Sequence, residues 1–252
     1  MSVILLRITG PLQSWGTCSR FGERDTELEP TKSGMIGLLC AALGKPRDEK
    51  QSDGFPLLAE LSALRMGVRI DREGIILRDF HTAGGGDWRG KSYGVAKSNG
   101  ARPETVISNR YYLADAVFLV GFEGENSLLE RLNQAIASPV WPLFLGRKSF
   151  VPSSPIRFNE FLVENTTLLE ALMKPEWMLG LGHWQDRLLE SDLDEQVRFV
   201  IEWRTEDYGQ PSGTKHDVPL SFILGAQKYQ LRCLREYFVK RRELIRVERA
   251  CS

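Results

Sequence analysis

The chain has 252 residues, 33 basic and 33 acidic side chains, and a hydrophobic content of 42%. This length fits one large domain, or a domain with a smaller partner, and the hydrophobic content suffices for a buried core. The balanced charge argues against a protein that coats nucleic acid over its whole surface, but it is compatible with a local basic groove.

The N-terminal segment predicts a strand, a long loop and a helix. Residues 3–8 (VILLRI) are apolar and β-branched, which is typical of a buried strand, and residues 12–30 lack periodicity. Loops of that length in compact domains are usually functional. Thr31 suits a helix N-cap and Gly44 a C-cap, so we expect a helix between them.

Small residues lie close to one face of this predicted helix, at Gly34, Gly37 and Ala41. A glycine in a helix interior costs about 1 kcal/mol. Close packing against the sheet, or against a phosphate backbone, should offset that cost.

The next segments complete an alternating pattern of strands and helices. We predict a short helix at 56–64, strands at 65–71 and 75–80, and a glycine-rich basic excursion at 83–110. A strong strand at 111–122, a helix at 127–137 with Ser127 as its N-cap, and a last strand at 141–150 follow. The order βαββαβ is that of an α+β, ferredoxin-like (RRM-like) domain. The excursion, at about 78–112, would be a projecting thumb hairpin between the two middle strands.

The pattern changes after about residue 155. Residues 186–207 hold eight acidic and three basic side chains, and residues 228–249 hold eight basic and three acidic ones. Residues 197–203 (VRFVIEW) alternate as a strand does. We therefore predict two domains: an RNA-binding one at 1–155, and a smaller C-terminal one with strands at 156–252.

The sequence contains few groups that favour an enzyme. The histidines and cysteines form no metal-ligand spacing, and neither a nucleophile elbow nor a phosphate loop occurs. Lys215 with His216, or His81 with Lys91 and Tyr93, could support metal-independent RNA cleavage. We expect no catalytic residue, metal or cofactor.

The location expected from the sequence is the cytoplasm. The cysteines (Cys18, Cys40, Cys233 and Cys251) suggest unpaired thiols in a reducing compartment. The N-terminus lacks the features of a signal peptide, and no segment is long and apolar enough to span a membrane.

Three polar segments could bind RNA. Between Arg78 and Tyr112 lie six basic and three acidic residues with interleaved aromatics (Trp88, Tyr93, Tyr111 and Tyr112). Basic groups neutralise phosphates and aromatic faces stack unpaired bases. Residues 13–16 (QSWG) follow the first strand, and residues 146–149 (GRKS) lie on or just after the last strand. The alternatives are a solvated loop for the excursion and tight turns with surface charges for the other two.

These segments together resemble a known family. GPLQSWG (10–16) resembles the GPMQAWG-like signature that opens the 5′-handle-binding subunits of type I-E CRISPR Cascade complexes, members of the RAMP superfamily. PTKSG with IGLL (30–39) is similar to their PTRSGLLGLL helix start, and LGRKS (145–149) to their LGRRS segment. The resemblance covers residues 1 to about 155.

The resemblance implies a non-catalytic subunit that holds the 5′ handle of the CRISPR RNA. Its partners would be the adjacent backbone subunit and the large subunit; target DNA would be met only through the complex, and a membrane not at all. The implied RNA-binding residues are Gln13, Ser14, Trp15, Arg20, Arg24, Lys32, Ser33, Trp88, Arg89, Lys91, Arg110, Arg147 and Lys148.

The sequence also departs from this family. Four acidic residues between positions 23 and 29 alternate with Arg20 and Arg24, so we expect only these two arginines of the loop to touch RNA. Relatives in type I-C systems cut precursor RNA with tyrosine, lysine and histidine, but the excursion has no clear lysine–histidine pair. A metal-independent endoribonuclease and a protein-only scaffold remain the alternative functions.

Overall fold

The computed structural model describes residues 2–18, 22–48, 54–85, 87–88, 91–92, 94–95, 104–174 and 194–244. The helices are α1 Lys32–Leu43, α2 Leu58–Ala63, α3 Asn126–Ala137 and α4 Leu168–Met173. The strands are β1 Ser2–Thr9, β2 Leu12–Gln13, β3 Glu23–Arg24, β4 Arg65–Arg72, β5 Ile75–Ala83, β6 Asp87–Trp88, β7 Lys91–Ser92, β8 Val106–Ala114, β9 Val117–Gly124, β10 Arg157–Glu164, β11 Gln196–Glu202, β12 Gly213–Ser221 and β13 Lys228–Lys240.

The fold is a mixed α+β arrangement in which antiparallel sheet predominates. Within the described residues, the main sheet has the strand order β10-β1-β9-β4-β11-β13-β12, and every neighbouring pair is antiparallel. The strands after residue 155 therefore hydrogen-bond into the same sheet as those before it, so the two predicted domains share one sheet.

Strand β1 explains why both faces of this sheet are covered. Ile4, Leu6 and Ile8 belong to a core that also contains buried residues of α1 and α3, whereas Val3 and Leu5 belong to a second core with α4. Because successive side chains of a strand point to opposite faces, an uninterrupted apolar run is buried on both sides.

A second, smaller sheet is built on a long hairpin. Strands β5 and β8 pair over nine residues, and β2 and β3 pair with the other edge of β8 near the root of the hairpin. Strand β5 is exposed along most of its length. Toward the tip, β6 pairs with β7, with Trp88 opposite Lys91. This hairpin lies where the sequence predicted one.

Helix α1 begins and ends where the sequence predicted. The Thr31 Oγ1 accepts a hydrogen bond from the Gly34 N–H at 3.3 Å, and Gly44 adopts the left-handed conformation with φ 71°. None of the helices in the part of the chain that the structure describes could cross a membrane, because each is too short or too polar.

Three local predictions were wrong. The single strand at 111–122 is two strands, β8 and β9, separated at Asp115, which turns the chain with φ 56°. Residues 141–150 form a loop, because Gly146 takes φ 90° and interrupts any extended run. The N-cap of α3 is Glu125, and the Ser127 hydroxyl donates to its carboxylate.

Candidate nucleic-acid interface

A groove with a volume of about 970 Å³ follows helix α1. The helix contributes mostly small residues to it, namely Ser33, Gly34, Gly37, Leu38, Cys40 and Ala41. The remaining lining comes from several regions of the chain: the loop after β2, the end of β3, the residues on either side of α1, the start of α2, the loop at 141–148, and the turn between β12 and β13 with the first residues of β13. Among the described lining residues, five carry a positive charge and one a negative charge: Arg24, Lys45, Arg47, Arg147 and Lys148, against Asp25.

The predicted residues Gln13 and Trp15 form the buried support of this groove. The Trp15 indole N–H donates to the Gln13 Oε1 at 3.1 Å, and the Gln13 Nε2 donates to the Ala116 carbonyl at 2.8 Å. Gln13 is completely buried and Trp15 nearly so. Trp15 still lines the groove, but Gln13 does not, so its amide is occupied within the protein rather than offered to a ligand.

Ser14 links the groove to the hairpin root and to the 141–148 loop. Its hydroxyl donates to the Tyr111 carbonyl of β8 at 3.3 Å, and its N–H donates to the Leu145 carbonyl at 3.1 Å. A Cβ placed on Gly146 would lie 1.7 Å from the Ser14 carbonyl oxygen. Only glycine therefore permits this close approach of the two loops.

Arg147 joins three elements at the groove rim. Its guanidinium donates to the carbonyls of Tyr111 at 2.9 Å and Arg24 at 3.3 Å, and it lies 5.5 Å from the centre of the Phe150 ring. Burial, together with the nearby charges of Arg110 and Arg24, lowers the pKa of Arg147. Three arginines thus converge at the root of the hairpin.

Lys32 does not offer its charge to this groove. Its side chain is 1% exposed, and its ammonium lies 2.7 Å from a carboxylate oxygen of Glu202. Burial lowers the pKa of Lys32, although the Glu202 carboxylate acts in the opposite direction. The predicted phosphate contact of Lys32 does not fit this position, because moving the ammonium to the surface would leave Glu202 without this partner.

The start of helix α1 is also occupied by protein groups. The Lys32 N–H donates to the Asp217 Oδ2 at 2.7 Å, and the Gly34 N–H donates to Thr31. These N–H groups are the ones that would otherwise attract an anion. Of the predicted helix start, Ser33 is the residue that faces the groove.

The remaining predicted residues lie on the hairpin or beside it. Arg24 is exposed on β3, and the Arg110 guanidinium on β8 donates to the Ser108 hydroxyl at 3.1 Å. The backbones of Trp88 and Lys91 pair with each other toward the tip of the hairpin. Arg20 and Arg89 lie outside the described residues.

The sequence did not reveal several residues of the groove. Trp141, Phe144, Phe222, Gln227 and Tyr229 line it together with Lys45 and Arg47. Trp141 and Tyr229 are 46% and 37% exposed, so both rings are accessible to a ligand. The tertiary fold brings Tyr229 to helix α1 from far along the chain, so no local pattern could place it there.

The candidate cleavage residues are dispersed or already paired. Lys215 forms ion pairs with Glu29 and with Glu27, the latter at 3.3 Å. The His216 ring is on the opposite side of the same strand by alternation, and its centre lies 6.4 Å from that of Tyr229. His81 lies 3.5 Å from Asp79 on the hairpin. No group of metal-ligating side chains able to hold an ion occurs within the described segments.

Comparisons with known proteins agree with the resemblance. Residues 3–235 match the family model described as CRISPR-associated protein (Cas_Cas5). The CRISPR system Cascade subunit CasD of Escherichia coli (strain K12) is 34% identical over 168 residues, which cover 62% of this chain and 69% of that protein.

Two solved structures are similar over nearly the whole chain. A chain described as the crystal structure of a Cas protein is 36% identical, with a TM-score of 0.63 and a coverage of 95% of each chain. A chain of a CRISPR RNA-guided surveillance complex is 30% identical, with a TM-score of 0.66 and a coverage of 94% of this chain and 90% of that one.

Proposed function

Because this chain belongs to the Cas5 family of CRISPR-associated proteins, we propose that it is a CRISPR-RNA-binding subunit of a Cascade-type surveillance complex, in which it holds the 5′ handle. The observation that carries this proposal is the groove along α1, which combines the accessible cations of Arg24, Arg47, Arg147 and Lys148 with exposed aromatic side chains. Cations that follow a phosphate backbone, with aromatic faces for unpaired bases, are what single-stranded RNA requires.

The predicted residues divide into two roles in this proposal. Arg24 and Lys148 are exposed at the rim and bind phosphates directly, as does the accessible part of Arg147, while Ser33 offers a hydroxyl group. The hydroxyl of the buried Ser14 instead holds the rim to β8. The buried residues Gln13, Trp15 and Lys32 hold the rim in place without touching RNA.

The ferredoxin-like arrangement is part of the proposal. Strands β1, β4, β9 and β10 would be its four strands, since their order β10-β1-β9-β4 is the fourth-first-third-second order of a βαββαβ unit. Helices α1 and α3 follow the first and third of these strands and contribute to the same core. In this assignment β10 is the fourth strand, which was predicted from the sequence at residues 141–150, and β11 to β13 extend the sheet beyond β4.

The β5–β8 hairpin would act as the thumb. We assign its tip, with Trp88, Arg89 and Lys91, to the junction of handle and spacer, and its root, with Arg110, to the groove. The adjacent backbone subunit and the large subunit are the expected protein neighbours. The basic groove favours this assignment over a protein-only scaffold.

We propose a non-catalytic role. The endoribonuclease alternative needs a base, an acid and a charge stabiliser in one place. Lys215, the lysine next to His216, forms an ion pair with Glu29. Burial alone would raise the pKa of the Glu29 carboxyl, but the charges of Lys215 and Arg198 outweigh it and keep this pKa below its usual value. Incubating the purified chain with repeat-containing RNA, with and without a chelator, tests this: cleavage that is abolished by His216→Ala would establish the alternative.

Co-purification tests the main proposal. The chain, expressed with the neighbouring gene products, should retain short RNAs that share a constant 5′ end. The double variant Arg24→Ala, Lys148→Ala should retain less of this RNA, whereas Lys240→Ala, which removes an exposed cation on β13, should not. Random 5′ ends, or no RNA in an intact complex, would refute the proposal.

A further inference from the structure

Trp141 lines the groove beside the last turn of helix α1, with nearly half of its surface exposed. Its backbone N–H donates to the Ala41 carbonyl at 3.2 Å, and the backbone N–H of Val140 donates to the Ala42 carbonyl at 3.0 Å. These bonds tie the residue to the last turn of α1. An indole that is 46% exposed on a fixed backbone loses little entropy when a flat ligand stacks on it.

A second exposed aromatic lines the same groove from the C-terminal half of the chain. Tyr229 belongs to β13, lies opposite Pro219 of β12, and has the His216 ring edge-on beside it. The neighbouring Phe222 packs against the main core, so the turn between β12 and β13 is anchored. The groove therefore has aromatic groups on two separate, well-held segments.

The helix between these segments leaves space for a ligand. Gly37 lines the groove, and no heavy atom of the described residues, its chain neighbours and the helix's own backbone aside, lies within 4 Å of a Cβ built on it. Close packing within the chain, one of the two explanations that the sequence suggested for this glycine, does not apply there. The absence of a side chain widens the groove at this point instead.

The charges around the aromatics indicate what kind of flat ligand fits. Arg47, Arg147 and Lys148 line the same groove as the aromatic side chains. An aromatic side chain of a partner protein would bring no negative charge to these cations, whereas a nucleotide would place its phosphates beside them. The Gln227 amide also lines the groove and has both a donor and an acceptor for the edge of a base.

We propose that this groove contains a stacking site for one unpaired base of the bound RNA, with Trp141 as the main platform, Tyr229 as the second, and Gln227 at the edge of the base. This inference rests on the proposed function, since it assigns a specific base contact to the same RNA. It adds residues that lie outside the motifs shared with the family.

The test uses the RNA recovered from the complex, synthesised with 2-aminopurine at one position at a time. Stacking on an indole quenches the emission of this base, so one position should be quenched on binding to the full chain. Trp141→Ala should abolish this quenching and weaken binding about 5- to 150-fold, the range expected for one base–aromatic contact. Trp141→Phe should restore most of the affinity. Tyr208→Ala, which removes a tyrosine that is 95% exposed and not in the groove, should change neither quantity.

The second arm replaces the same nucleotide by an abasic one. The abasic RNA should bind the wild-type chain as weakly as the complete RNA binds Trp141→Ala, and the two changes together should cost no more than either alone. Normal RNA binding with unchanged quenching in Trp141→Ala would overturn this inference and leave the proposed function intact. Failure of the wild-type complex to retain any RNA would instead remove the proposed function. Loss of a subunit from the complex with unchanged RNA binding would show that Trp141 contacts a protein neighbour.

Discussion

The Asp217 carboxylate caps the first turn of helix α1 by accepting a hydrogen bond from the Lys32 N–H at 2.7 Å, although the two residues are 185 positions apart in the chain. The same carboxylate accepts two hydrogen bonds from Arg232, at 2.6 and 2.8 Å. Asp217 is 1% exposed, so this network lies in the interior. It connects the C-terminal strands to the helix that forms the groove.

We expect Asp217→Ala to lower the free energy of unfolding by about 3–5 kcal/mol, because it leaves the Arg232 charge buried without this partner. Asp217→Asn should cost less, since it keeps an acceptor for the Lys32 N–H. Chemical denaturation at neutral pH measures both values. Equal stability of the wild type and the alanine variant would show that the network contributes nothing.

The same carboxylate predicts a pH dependence. Burial alone raises the pKa of Asp217, but the hydrogen bonds and charge of Arg232 and the Lys32 N–H hold it below its ordinary value. A carboxyl with a lowered folded pKa stabilises the protein above its unfolded pKa, and this contribution disappears as the pH falls through the folded value. The stability difference between the wild type and Asp217→Asn should therefore be full at pH 7 and shrink below about pH 4.

Gly146 should not tolerate a side chain. Gly146→Ala places a Cβ at 1.7 Å from the Ser14 carbonyl oxygen, at a residue with φ 90°. The strained backbone alone costs about 1–3 kcal/mol, and the 141–148 loop must also move, so both stability and RNA binding should fall. Gly213→Ala is the control, because its Cβ meets no described atom within 4 Å and its backbone is extended.

Gly37→Ala should separate stability from binding. It gains helix propensity of up to about 1 kcal/mol at a position where the described chain leaves open space, so the melting temperature should rise. RNA affinity should nevertheless fall, because the methyl group narrows the groove. Gly34→Ala should instead lower the melting temperature, since its Cβ would lie 3.0 Å from the Trp15 ring. Unchanged affinity in Gly37→Ala would mean that no ligand reaches this part of the helix.

Lys148 and Arg147 should differ in the way they respond to substitution. Lys148 is exposed, so Lys148→Ala should leave stability unchanged while reducing the log–log salt dependence of RNA binding by about 0.7 for one lost phosphate contact. Arg147→Ala should also lower the melting temperature, because the guanidinium bonds the carbonyls of Tyr111 and Arg24. An unchanged salt slope in Lys148→Ala would place RNA away from this rim.

The hairpin tip provides a prediction from sequence alone. The double variant Arg89→Ala, Lys91→Ala should weaken RNA binding and assembly, with a change in stability below about 0.5 kcal/mol. Trp88→Ala should weaken binding with little salt dependence if the indole stacks on a base. A lower melting temperature of the free chain with unchanged affinity would identify Trp88 as a packing residue.

Local signals predicted those elements that local interactions determine. Helix α1 could be predicted because its cap residues, Thr31 and Gly44, each bond to groups within about one turn of the chain. The break at Asp115 was missed because an aspartate in the left-handed conformation, flanked by two apolar strands, looks like part of one long strand. The QSWG motif marked the correct place, but the buried role of Gln13 depends on the carbonyl of Ala116, which only the tertiary fold brings near.

Only part of the groove could be predicted from the sequence, for the same reason. Its rim at Arg147 and Lys148 is contained in one short motif, whereas Phe222 and Tyr229 come from the C-terminal half, where the resemblance was weak. Their contribution depends on the β12–β13 turn reaching the helix, a long-range contact that periodicity and propensity do not encode.

Because Lys32 and Asp217 are 185 positions apart, the ribosome completes helix α1 well before it adds the Asp217 carboxylate. At about 5–20 residues per second, a ribosome needs roughly 10 to 40 s to travel from one to the other. During that interval the Lys32 N–H lacks its Asp217 acceptor, although Thr31 still caps the helix locally, and the groove lacks the aromatic side chains of Phe222 and Tyr229. A nascent chain therefore lacks part of the groove until β13 has been translated, and we expect it to bind guide RNA only after that point.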